Sequence, residues 1–91
     1  MSPPRFEIRV LAGAEDELRR LDARAADLIA ARLYWLAEHA EQVRHRPLTG
    51  PLQGLYRLRS GDYRVIYQVL TAERTIVVHA IGHRRDVYRR R

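Results

Sequence analysis

Ninety-one residues, 46% of them hydrophobic, can bury one small core but leave little surplus over chain entropy, so a single domain spanning 1–91 is expected. The absence of cysteine excludes a disulfide framework and thiolate metal sites. A net charge of +6 points to a polyanionic partner.

The charge is unevenly spread. Residues 1–41 carry six Arg against eight acids, whereas residues 42–91 carry eleven Arg against three. The basic surface therefore belongs to the carboxy-terminal half. Every cation is arginine and none is lysine, which favours bidentate phosphate binding and removes the amine that could act as a base at neutral pH. No apolar run approaches the roughly 20 residues that span a bilayer, and Met1-Ser2-Pro3-Pro4-Arg5 lacks the apolar core of a signal peptide. A soluble cytoplasmic protein without membrane association is expected.

Arg5 to Val10 alternates polar with apolar residues, and Phe6, Ile8 and Val10 form the buried side of a first strand. Gly13 is expected to break that run before a short helix over Ala14 to Leu21, with acids at its start, Arg19 and Arg20 near its end, and Leu18 and Leu21 facing inward. From Ala23 to about Ala40, Ile29, Leu33, Leu36, Ala37 and Ala40 recur on one helical face. Leu28 and Trp35 widen the stripe and could offer a groove to another protein. Glu41 to Gly54, with Pro47, Gly50 and Pro51, reads as a loop.

Leu55 to Arg59 and Tyr63 to Leu70 read as a hairpin closed by Gly61-Asp62. A two-residue turn sets Ser60 opposite Tyr63, Arg59 opposite Arg64, Leu58 opposite Val65, Arg57 opposite Ile66 and Tyr56 opposite Tyr67. One face then carries Tyr56, Leu58, Tyr63, Val65, Tyr67 and Val69; the other carries Arg57, Arg59, Arg64 and Gln68. Opposed arginines repel one another, a cost that a bound anion would remove. Thr75 to Ile81 is apolar enough for a central strand. Gly82 is expected to end it, with His83 to Tyr88 following as a loop or helical turn and Arg89-Arg90-Arg91 as a charged tail.

His39, His45, His79 and His83 offer no helical pair at metal-ligand spacing, and neither a metal nor a cofactor is expected. Phosphate-binding glycine loops and nucleophile elbows are missing too. What remains is Arg57, Arg59, Arg64, Arg84 and Arg85 with His83 and Tyr88. RNA transesterification suits such a set, because the ribose 2′-OH is itself the nucleophile and the protein need only orient it, neutralise charge and move protons. Tyr88 could stack on a base or donate a proton. His83 is the side chain there whose ordinary pKa suits a general base.

Tyr56-Arg57-Leu58-Arg59-Ser60-Gly61-Asp62-Tyr63-Arg64-Val65-Ile66-Tyr67, followed by Ile81-Gly82-His83-Arg84-Arg85-Asp86-Val87-Tyr88-Arg89, resembles the RelE branch of the RelE/ParE toxin superfamily. The resemblance implies a small α+β domain in the order β-α-α-β-β-β with a short carboxy-terminal helical turn, its helices packed on one face of a mostly antiparallel sheet and its site on the other. It implies a type II toxin, a ribosome-dependent endoribonuclease that cleaves mRNA without a metal and inhibits translation. Matched position by position, Arg57 and Arg64 are the basic strand residues, Arg84 the phosphate-binding arginine and Tyr88 the near-terminal tyrosine. Arg59, Arg85 and Arg89 would add RNA contacts. Leu55 and Arg57 stand where some members have lysines, which leaves His83 or the ribosome to move the proton.

The partners implied are the ribosome with its mRNA and a cognate antitoxin, expected over the arginine face and the groove near Leu28 and Trp35. The toxin-antitoxin complex would reach operator DNA through the antitoxin. A ParE-like toxin that poisons DNA gyrase, or an inactive homologue serving only as an operon co-repressor, would share the fold.

Overall fold

The computed structural model describes residues 5–87; Tyr88 and Arg89, both expected in the site, lie outside them. The element order is β1 (Glu7–Val10), α1 (Ala12–Arg19), α2 (Ala23–His39), β2 (Arg46–Pro47), a 3-10 turn at Gly50–Leu52, β3 (Tyr56–Ser60), β4 (Tyr63–Leu70) and β5 (Thr75–His83). The strands form one sheet in the order β1-β5-β4-β3-β2. β1 runs parallel to β5 and the other pairs are antiparallel, so the apolar β5 is an interior strand, as its composition predicts.

The hairpin register is the one read from the turn, from Ser60 opposite Tyr63 through Arg59 opposite Arg64 to Tyr56 opposite Tyr67. Gly61 alone of the two turn residues has positive φ, +59°, as a type II′ turn requires and as glycine adopts at little cost. Leu58, Val65 and Tyr67 consequently enter the main core with Ile29, Leu33, Leu36 and Ala37 of α2. Tyr56, Tyr63 and Val69 pack at its margin. Asp22 caps α2, its side chain accepting a hydrogen bond from the Ala25 N–H at 2.8 Å.

Three local expectations need correction. Gly13 does not precede the first helix but lies in its first turn, where a backbone N–H has no intrahelical acceptor and glycine disrupts least. Residues 41–54 are not all loop, because Arg46 and Pro47 pair with Arg57 and Tyr56. This is an edge position, which proline tolerates. β5 runs through Gly82 to His83, since Tyr63 and Arg64 supply partners to its end. The pairing of β4 with β5 also shifts between Ile66 and Tyr67, leaving His79 as an extra residue. Ile76, Val78 and Ile81 therefore face the helices while Ala80 faces away, and His79 meets the Gln68 side chain at 3.2 Å.

The far face is not wholly polar. Ile66, Ala80 and Val87 are fully buried there under Leu48, Leu52 and Leu55, so the segment that follows β2 folds over β4 and makes a second, smaller core. At the other edge β1 pairs with β5 only as far as Val78. The Glu17 carboxylate of α1 accepts the Ile81 N–H at 3.1 Å and satisfies part of the β5 edge beyond. Arg74, in a left-handed turn conformation at φ +48°, pairs with Glu41 and lies 4.6 Å over the Phe6 ring. It thereby ties the β4–β5 turn to β1 and the end of α2. No helix among the described residues is long and apolar enough to cross a membrane.

Ile66→Ala should cost about 2–5 kcal/mol in urea unfolding, the usual range for a fully buried aliphatic residue. A solvated arginine face at that position would give a change within about 0.5 kcal/mol.

Candidate functional site

Strand alternation carries Arg57 and Arg59 of β3 and Arg64 of β4 to the side opposite Tyr56, Leu58 and Val65. Arg64 is half-buried and its Nη1 donates to the carbonyls of Gly61 and Tyr63 at 3.1 and 3.0 Å. Those bonds hold the guanidinium near the hairpin turn, with its remaining nitrogens available to a ligand. The chain following β5 returns to the same end of the sheet: the Arg84 N–H donates to the Asp62 carbonyl at 2.8 Å, joining the carboxy-terminal turn to the hairpin turn. Arg84 and Arg85 are exposed there. Val87 is buried on the arginine face against Ile66, with its Cβ 3.5 Å from where a side chain on Gly82 would begin.

His83 is the exception, and its expected place beside the arginines is corrected. It pairs directly with Tyr63, their rings meet edge to face at 5.9 Å, and Tyr63 packs against the helix-side core. Cross-strand partners share a face, so the His83 ring sits on the helix side and Arg64 on the other. Its Nδ1 accepts the Arg85 N–H at 3.2 Å.

Three arginines that sequence reasoning passed over complete the site. Arg32 of α2, Arg44 and Arg46 join Arg57, Arg59 and Arg64 around one cleft of about 430 Å³, with Trp35, Val43 and Leu58 in its walls. The lining contains no acid. The ion pairs within the described residues join Arg19 to Glu15 and Asp16 and Arg74 to Glu41, leaving the cleft arginines without a carboxylate. A second concavity, of about 500 Å³, continues along Arg44, His45, Arg46, Pro47 and Arg57. Trp35 faces the arginine cleft, stacked on His39 at 4.5 Å and overlain by Arg32 at 5.3 Å. Leu28 and Trp35 are both exposed, but neither lines the apolar groove of the helical face. That groove, about 550 Å³, runs beside β1 between Ile8, Val10, Leu18, Ala30, Leu33 and Tyr34. At 100° per residue, Tyr34 and Trp35 point to different sides of α2.

His45 fixes the arm that carries Arg44 and Arg46. Its Nε2 lies 2.8 Å from the Ala40 carbonyl and its Nδ1 2.6 Å from the Tyr67 hydroxyl. A carbonyl can only accept, so the neutral ring carries its proton on Nε2 and takes the Tyr67 O–H at Nδ1. Burial pushes the Tyr67 hydroxyl up from the ordinary 10 to about 12, and the neighbouring Tyr56 adds to the shift.

The comparisons with known proteins agree with this architecture. The family described as ParE toxin of type II toxin-antitoxin system, parDE, matches residues 8–88. This chain belongs to that family. It is 38% identical over 45 residues to Toxin RelG of Mycobacterium tuberculosis, an alignment that spans 50% of this chain and about half, 52%, of that relative. The toxin-antitoxin complex RelBE2 from Mycobacterium tuberculosis shares the fold at TM-score 0.79 and 23% identity, covering 88% of this chain and 99% of the other. The archaeal RelE-RelB complex from Pyrococcus horikoshii does so at 0.72 and 24%, covering 92% and 100%. Membership of the RelE/ParE superfamily thus rests on the sequence match, and the α+β fold is shared with solved members of it.

A raised folded-state pKa at Tyr67 means that its contribution to stability is complete below about pH 10 and is lost as pH rises toward 12. In urea unfolding at pH 8, 9 and 11, the advantage of wild type over Tyr67→Phe should therefore be nearly constant from pH 8 to 9 and shrink by pH 11.

Proposed function

We propose that this member of the RelE/ParE family acts as a ribosome-dependent endoribonuclease that cleaves mRNA and so inhibits translation, and that a cognate antitoxin restrains it. The observation that supports this reading is the cleft of six arginines without an acid, continuous with the hairpin end where Arg84 enters. In RNA cleavage the 2′-OH attacks the adjacent phosphorus and the 5′ oxygen leaves. The negative charge that builds on the phosphoryl oxygens is what arginines placed in advance can neutralise. Arg57 and Arg64 hold the reacting phosphate, with Arg84 joining them from the carboxy-terminal turn and Arg59 contacting the strand beside it.

Arginine stays protonated and cannot take the 2′ proton. With His83 turned to the helix side, proton transfer falls to Tyr88 or to a group of the ribosome, and confinement of activity to ribosome-bound mRNA follows naturally. The relatives solved as toxin-antitoxin complexes support an antitoxin partner here. The apolar groove beside β1 gives that partner a surface separate from the arginines, and operator DNA would be reached through the antitoxin.

Poisoning of DNA gyrase is the second reading. It is favoured by the description of the matching family as ParE and by a cleft whose described lining supplies charge but no base. The two readings separate in parallel assays. Mapped cleavage of mRNA in a ribosome-programmed reaction, with gyrase supercoiling unaffected, is the expected outcome; intact mRNA with blocked supercoiling would replace the proposal with its alternative. Arg57→Ala and Arg64→Ala should each slow single-turnover cleavage by about 100-fold or more, and His83→Ala should leave its rate and pH profile near those of wild type.

A further inference from the structure

Arg44, Arg46, Arg32 and Trp35 lie on the β2–α2 side of the cleft, away from the hairpin end where Arg64 and Arg84 sit. Several features mark this side as built for a ligand. The backbone between the two arginines is pinned, because the His45 ring bridges the Ala40 carbonyl at the end of α2 and the Tyr67 hydroxyl of β4. Alternation along the extended chain then turns Arg44 and Arg46 outward together, and both are exposed and line both concavities. Pairing of Arg46 with Arg57 stacks further like charge across the β2–β3 edge, which costs stability unless an anion lies between them. Trp35 remains 41% exposed although it is large and apolar. His39 braces its ring, and the His39 Nδ1 is itself fixed by the Trp35 carbonyl at 2.8 Å.

Arginines alone would suit any polyanion. A braced indole among them narrows the choice, since an unpaired base has a flat face to stack on it and a carboxylate chain does not. A duplex hides its bases from such an aromatic wall, whereas the bases of a single strand are free to stack on it. We propose that the cleft is a binding site for a single-stranded polynucleotide, in which Arg44 and Arg46 hold backbone phosphates and a base stacks at Trp35, with Arg32 shifting from the indole to a phosphate or remaining as a second stacking plane. It rests on the ribonuclease reading only in taking that strand to be the mRNA that continues beyond the scissile phosphate.

The test uses a fluorescein-labelled twelve-nucleotide single strand without a ribosome, with anisotropy as the binding readout and Trp35, the sole tryptophan, as an intrinsic probe. RNA should bind and quench the Trp35 emission. Arg44→Gln/Arg46→Gln should weaken binding by about tenfold or more and lower the salt slope by about 1.4, the loss expected for two phosphate contacts on a single strand. Trp35→Ala should weaken it by a comparable factor. Arg9→Gln, on the opposite edge of the sheet, should do neither, and unchanged urea midpoints would show that the exposed variants are folded. Unaltered affinity in Arg44→Gln/Arg46→Gln would overturn the site. So would a decaglutamate peptide that binds as tightly with the same quenching, which would make the cleft a protein contact. Equal binding of RNA and DNA strands upholds the polynucleotide site while counting against mRNA as its occupant. Loss of ribosomal cleavage as an activity, with oligonucleotide binding retained, would sink the ribonuclease reading alone.

Discussion

The pairing of Arg59 with Arg64, and with it Leu58 with Val65, governs the placement of nearly everything else. Side chains alternate with a period of two, so a slip of one residue between β3 and β4 would disrupt the match between apolar and arginine positions across the sheet. Gly61 prevents the slip by making a two-residue turn possible, and the apolar burial of Leu58, Val65 and Tyr67 makes any other register costly. The like-charge repulsion between Arg59 and Arg64 is carried by the energy of the face beneath. In this sense the site is held in place by the core rather than by its own interactions.

The second constraint is the return of chain segments onto the arginine face. Ile66 and Ala80 form an apolar island there, covered by Val87 from one side and by Leu48, Leu52 and Leu55 from the other. That island anchors the carboxy-terminal turn and the segment after β2 at fixed places, so cations distant in sequence converge. Arg84 is brought to the hairpin turn through Asp62, and Arg44 and Arg46 are brought to the β3 edge through His45 and Tyr67. A hydrophobic contact and two sets of hydrogen bonds thereby determine where charge accumulates.

The charged and apolar concavities are separate. The arginines occupy the cleft and hairpin end, while the open apolar groove lies at the far side of the helical layer beside β1. A protein partner seated in that groove would bury apolar surface without covering the cleft arginines. Arg64, held by the Gly61 and Tyr63 carbonyls, and Trp35, stacked on His39, have positions set by the fold itself.

The sequence by itself determined the elements whose signals are local. The apolar stripe of α2, the alternation in β1 and the Gly61-Asp62 hairpin each lie within one short stretch of chain, and Arg57, Arg59 and Arg64 could be assigned a common face from them. What tertiary structure alone decided depends on pairing between distant segments. β2 is two residues long and exists only because β3 offers it an edge, so Arg44 and Arg46 carried no strand signal. Arg32 carries no signal of its own in the sequence and joins the cleft only because α2 packs beside that edge. The extra residue at His79 is absorbed between strands and changes which side the end of β5 presents. His83 followed Tyr63 to the helix side for the same reason, since the face of a strand residue is set by its cross-strand partner and not by its neighbours in sequence.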